Sequence, residues 1–183
     1  MSSKYINYGN NRIIPSNKNV GKTGIQRLKY VKNYLMQNFG LDDTHASALA
    51  GVWYAESNLN PGIKSKRDSG SGIAQWTGSR HQEFNRFYRQ VFGKSSPGIT
   101  NTSLEEQIHV AIAEYKARKN NWNDFLRRTD LQGATDSVLR GYENGGGRLA
   151  SIADIDRIYT RNGSGSYKKL MSDRLAFAKQ ALN

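Results

Sequence analysis

Beyond residue 24, apolar residues recur at three- and four-residue intervals almost without a break, and this period dictates the class of fold. Ile25, Leu28, Val31, Leu35 and Phe39 fall on one face of a helix that Gly40 stops. Asp42, Asp43 and Thr44 offer N-caps to a second helix through Leu49, Val52 and Trp53. A third runs from about Ser79 to Phe92, with Phe84, Tyr88 and Val91 on one face. Ser103 and Glu106 have the spacing of a capping box ahead of Leu104, Ile108, Ile112 and Tyr115. Trp122, Phe125 and Leu126 suit a shorter helix, as do Val138, Leu139 and Tyr142, and then Ile152, Ile155, Ile158 and Tyr159. Tyr167 to Leu182 forms a last helix with Leu170 and Leu175 inward. Period-two alternation is nearly absent. The expected fold class is all-α, with at most a small β-hairpin in the Gly/Ser/Lys-rich loop at roughly residues 57 to 71.

The 183 residues suit one domain with a substantial core. Residues 1–24, rich in Asn, Ser, Lys and Gly and without periodicity, read as a polar N-terminal arm, leaving 25–183 as the folded domain. No apolar stretch approaches the length of a membrane span. The first residues lack the charged-then-apolar pattern of a secretion signal, so export by that route is not expected. The chain has no cysteine, which excludes disulfides and thiolate metal sites. His45, His81 and His109 lie too far apart to share a metal by local spacing, and no metal or cofactor is expected. Twenty-seven Lys and Arg against 15 Asp and Glu give a net charge of +12. Such a surface should associate with polyanions, whether nucleic acid, anionic lipid or bacterial wall polymers.

One acid is oddly placed. In WYAESNLNPG (53–62) an apolar run ends on Glu56, where a helix C-terminus is already negative. A chain shaped for stability alone would carry Lys or Gly there. Burial beside Trp53 and Tyr54, together with the helix end, would favour the protonated carboxyl. The plain alternative is an exposed glutamate at a fraying helix end.

Three segments bear on the choice: AESNLNPG (55–62), SGSGIAQWTGSR (69–80) and SVLRGYENGGGR (137–148). In order and spacing they resemble the phage tail lysozymes, peptidoglycan-cleaving domains of virion proteins similar to goose-type lysozymes and soluble lytic transglycosylases. The likeness runs from about Ile25 to the end of the chain. It implies a lysozyme-like helical fold in two lobes, with Glu56 as catalytic acid. Physics agrees with that role, since a glycosidic oxygen must be protonated as its bond breaks.

Around that acid, Gln75 and Trp76 suit sugar binding, the amide for hydrogen bonds and the indole for stacking; Trp76 is equally suited to core packing. Ser71 and Gly72 allow close backbone approach at this turn, which suits a substrate contact or loop geometry alone. Hydrolysis by inversion needs a second carboxyl about 6.5–9.5 Å from the first. Asp68 is the candidate, because its loop should fold over the cleft; a solvated aspartate paired with Lys66 or Arg67 is as good a description. Tyr142, Glu143 and Asn144 match the helix end that in these families faces the catalytic glutamate. Transglycosylases read Tyr-Asn there, and the Tyr142-Glu143 pair, with Asn144 one place late, tilts the expectation to hydrolysis. Glu143 is the alternative base.

Two classes of function compete. One is a muramidase of a bacteriophage acting on bacterial peptidoglycan, with a lytic transglycosylase forming 1,6-anhydro products as its variant. The other is a non-catalytic basic module that holds DNA or wall polymers. The basic, aromatic run KARKNNWNDFLRR (116–128) would suit nucleic acid, but fits better a solvated helix with Trp122 and Phe125 inward. The pairing of Glu56 with Gln75 favours the enzyme. Its expected place is the virion, with the arm docking a tail or other virion protein; the alternative is synthesis in the host cytoplasm and release at lysis.

Overall fold

The computed structural model describes residues 24–66, 69–144, 148–163 and 165–183. Among them are eight α-helices: α1 (Gly24–Phe39), α2 (Asp43–Ser57), α3 (Arg80–Phe92), α4 (Leu104–Ala117), α5 (Lys119–Leu126), α6 (Leu131–Ser137), α7 (Ile152–Arg161) and α8 (Tyr167–Leu182). A π-helical segment, Val138–Glu143, continues α6, and a 3-10 turn, Ile99–Asn101, precedes α4. No β-strand forms among the described residues. The loop after α2 makes only isolated bridges, Lys64 to Ser71 and Ser71 to Trp76, in place of a hairpin. The fold class is all-α. Of the polar arm, residues 1–23 lie outside the described residues, and Gly24 opens α1.

The caps fall where side-chain chemistry puts them. Asp42 accepts from the His45 backbone N–H at the head of α2, and Ser103 and Glu106 complete the capping box of α4. Apolar periodicity misleads at helix margins. Ile25, Leu126, Ile152 and Ile158 are all exposed, because short or terminal turns have less core to cover them than the stripe suggests.

Helix α2 is buried nearly all round, from His45 to Trp53, and forms the centre of the main core. Its most extensive partner is α8. A Cβ built on Gly51 would lie 2.5 Å from the Ala178 backbone nitrogen and 2.7 Å from its Cα. Only a glycine lets the two backbones come this close. The helices run antiparallel, so that one turn further along α2, and one turn back along α8, Glu56 meets Arg174. A second, smaller core gathers Leu139, Ile155, Leu170 and Met171 beneath α7.

Candidate functional site

The 71–76 segment is held by α4. Gln107 and Glu114 sit seven residues apart on that helix, hence on one face and roughly 10 Å apart along its axis. The Gln107 side-chain carbonyl accepts from the Ile73 N–H at 2.9 Å, and its amide donates to the carbonyls of Pro61 and Ile99 at 2.9 and 2.8 Å. Gly72 has φ of 70°, and a Cβ there would come within 2.5 Å of the Gln107 Oε1. At the other end the Trp76 indole donates to Glu114 at 2.9 Å. The segment is also tied to α2, since the Ser57 hydroxyl donates to the Ile73 carbonyl at 2.9 Å.

Glu114 gathers a polar centre inside the core. It accepts from Trp76, Tyr142, Arg118 and twice from Arg80, all at 2.8–3.1 Å. Burial by itself would push this carboxyl up, but the Arg80 and Arg118 charges and the indole N–H outweigh it and hold the group below its ordinary value.

These contacts assign several of the sequence-derived candidates. Trp76 is fully buried against Phe84, so its ring offers no face for a sugar to stack on. Tyr142 is fully buried and donates to Glu114 at 2.8 Å. Both serve the core, because each spends its polar tip on one buried carboxylate. Gln75, at φ of 46°, is partly exposed and folds its amide back to the Gly72 carbonyl at 2.9 Å. Ser71 lines a cavity of about 370 Å³ with Lys64, His81, Asn85 and Asn101, and Ile99 adds an apolar wall. Asn144 donates to the Leu139 carbonyl and accepts from the Tyr159 hydroxyl at 3.1 Å. Asp68 lies outside the described residues.

Glu56 stands where the chain leaves α2. Asn58 and Leu59 follow at φ of 52° and 54°, turning the backbone sharply away. The Glu56 side chain keeps 19% of its surface exposed, enough to reach a ligand, while Arg174, which donates to it, keeps 6%. Glu143, at the end of the π-helical segment, faces Glu56 from within. Burial, then the Glu56 charge, push the Glu143 carboxyl up to about 8, against the pull of Arg80 and Arg174. Its Oε1 is buried without a hydrogen-bond partner among the described residues, as is the Nε of Arg174. Tyr159 of α7 closes the group; burial and the two carboxyls push its hydroxyl up to about 12. Three other parts of the chain thus bring groups to one partly exposed acid, among them a carboxyl whose surroundings disfavour its charged form.

Glu114 and Arg174 are among the residues here that escaped sequence reasoning, with Gln107, Arg80 and Arg118. Glu114 had a signal, an acid on the same face as Gln107 within the apolar run of α4. Arg174 had none, because its partner is 118 residues away. The described residues hold no group of three or more His, Cys, Asp or Glu able to bind a metal, and no helix long and apolar enough to cross a membrane.

A helical domain with one partly exposed carboxyl and a second whose surroundings disfavour its charged form has groups of the kind used in acid–base chemistry. Residues 26–183 match the family model described as phage tail lysozyme, and the chain belongs to that family. No curated protein and no solved structure matches the chain. Membership implies a peptidoglycan-degrading activity of the glycoside hydrolase type, peptidoglycan as substrate and association with a virion tail.

Proposed function

We propose that the protein is a muramidase that hydrolyses the β-1,4 bond between N-acetylmuramic acid and N-acetylglucosamine, with Glu56 as the general acid. The supporting observation is the position of Glu56, partly exposed at the end of a buried helix and backed by Glu143. Glu56 gives its proton to the glycosidic oxygen as the bond to the anomeric carbon breaks. Water adds to that carbon and passes a proton to a base. Asp68, which follows α2 in the sequence, is the base in this scheme, with Glu143, whose Oε1 is enclosed, as the alternative. Gln75 and Ser71, both on the segment held by α4, are the substrate-side contacts. The N-terminal arm preceding α1 docks the enzyme to a virion protein, and the wall is cut during penetration.

The test is Glu56→Gln, which keeps size but has no acidic proton. Zymograms on purified walls should show lysis abolished while circular dichroism stays that of the folded protein. Near wild-type lysis would remove Glu56 from the reaction. Mass spectrometry of the fragments released by the wild-type enzyme should show reducing ends; anhydro ends would make it a transglycosylase.

A further inference from the structure

The cavity beside Ser71 has a basic, amide-rich lining, and none of its lining residues is an acid. Lys64, in the loop after α2, contributes an exposed ammonium that makes no ion pair among the described residues. From α3 come His81 and Asn85, four residues apart and so on one face. The His81 Nε2 donates to the Trp76 carbonyl at 2.6 Å, fastening α3 to the segment that carries Ser71. Asn101 spends its side-chain nitrogen on the Pro97 carbonyl at 2.9 Å, which leaves its amide oxygen to accept from a ligand. Ile99 supplies an apolar wall. A neutral sugar has no use for the ammonium. A short acidic peptide uses all three features: a carboxylate for Lys64, an N–H for Asn101 and an apolar side chain for Ile99. The cavity is also tied to the acid. Ile73, two residues beyond Ser71, accepts at its carbonyl from the hydroxyl of Ser57, the residue after Glu56, at 2.9 Å.

We propose that this cavity is a subsite for the acidic peptide carried by the muramic acid residues of peptidoglycan, so that the enzyme reads the decorated strand and not the glycan alone. This rests on the reading of Ser71 as a substrate-side contact. An ion pair to an exposed lysine is worth little by itself in water. The gain comes from convergence, with the Asn85 amide donating to the carboxylate that Lys64 neutralises and the Asn101 oxygen accepting from the peptide backbone. The contacts are made away from the bond that breaks, and they act through register. Only alternate sugars of the strand bear a peptide. Anchoring the peptide therefore admits the strand in steps of two sugars, and presents to Glu56 one of the two kinds of glycosidic bond.

The experiment is equilibrium binding of N-acetylmuramyl-L-alanyl-D-glutamate, and of the same compound with both glutamate carboxyls amidated, followed by proton–nitrogen NMR of the full chain at fixed pH and salt. The free acid should bind about five- to fiftyfold more tightly than the amide, with shifts at Ser71, Asn85 and Asn101. Lys64→Met and Asn85→Asp should each erase most of that preference, by weakening the acid and leaving the amide as it was. Both positions are exposed, so neither change threatens the fold. Lys168→Met, in α8 and lining a separate groove, removes the same charge and should keep the preference. Equal Kd for the two compounds in wild type overturns the proposal. So does a Lys168→Met variant that loses as much preference as Lys64→Met, since the net charge alone would then be at work. Displacement of the free acid by glycerol 1-phosphate at a lower concentration than the acid itself overturns the peptide assignment in favour of a phosphate polymer. No bond is cleaved in this measurement. Its failure leaves Glu56 in place as the acid, and lysis by Glu56→Gln would leave the cavity's preference in place.

Discussion

Glu114 and Glu143 are the same residue type, Glu114 buried whole and Glu143 half-buried with its Oε1 enclosed, and they are treated in opposite ways. Glu114 is surrounded by donors: two guanidiniums, an indole and a phenol turn a buried carboxylate into a satisfied one. Glu143 meets another carboxyl, and one of its oxygens has no hydrogen-bond partner among the described residues. A buried acid with its partners is architecture. A buried acid without them is held at a cost, and such costs collect where chemistry is done.

The contrast can be broken first at Glu114. Glu114→Ala should leave Arg80 and Arg118 as uncompensated charges in a site of little exposure, and should free the Trp76 and Tyr142 donors. Removing one partner of a buried ion pair costs about 3–5 kcal/mol, so urea unfolding should show the largest loss of any single change discussed here. A loss below about 1 kcal/mol would mean that the cluster is not structural.

At Glu143 the sign reverses. A carboxyl whose folded value is pushed up binds its proton more tightly in the native state, so it lowers stability progressively as pH rises from the ordinary glutamate range towards about 8. Stability measured from pH 5 to 8 should therefore fall more steeply in wild type than in Glu143→Gln, the two curves diverging as pH rises. Glu114, held low, supplies stability that is present above the ordinary value and lost as pH falls through its folded value; comparison at fixed pH removes it from the difference. Parallel curves would mean that Glu143 ionises as an ordinary glutamate.

The smallest effect should separate both acids from the surface. Peptidoglycan and its attached polymers are anionic, and a protein of charge +12 is drawn to them over a Debye length, about 8 Å at physiological salt and about 3 Å at 1 M. Lysis of whole walls should fall as salt rises, while cleavage of a short uncharged chitooligosaccharide should change little. Equal sensitivity on both substrates would place the charge effect inside the cleft.

Much of the scaffold was legible because helices announce themselves locally. The Leu28, Val31, Leu35 stripe and the Asp42 and Ser103–Glu106 caps lie within a few residues of what they organise. The same local rules misjudged Ile152 and Ile158, because a stripe says which face is apolar and not whether anything covers it. Glu56 stood out by being an acid at the wrong end of a helix. Its surroundings did not, since Arg174 and Glu143 reach it through the Gly51–Ala178 approach and a change of helical pitch, neither of which has a short-range signature. Trp76 was ambiguous for a related reason. Only the buried acceptor opposite its indole, on another helix, decides which way the ring faces.

That change of pitch carries a consequence for comparing such chains by alignment. In Val138–Glu143 the Asn144 N–H reaches back five residues to the Leu139 carbonyl, one more than an α-helix allows. A wide turn of this kind accommodates one surplus residue without displacing the chain on either side of it. Written as aligned text, it is a single-column gap. Position-by-position matching across this turn would equate residues that do not share a place in space, and the column to trust is the one that follows the carbonyl ladder.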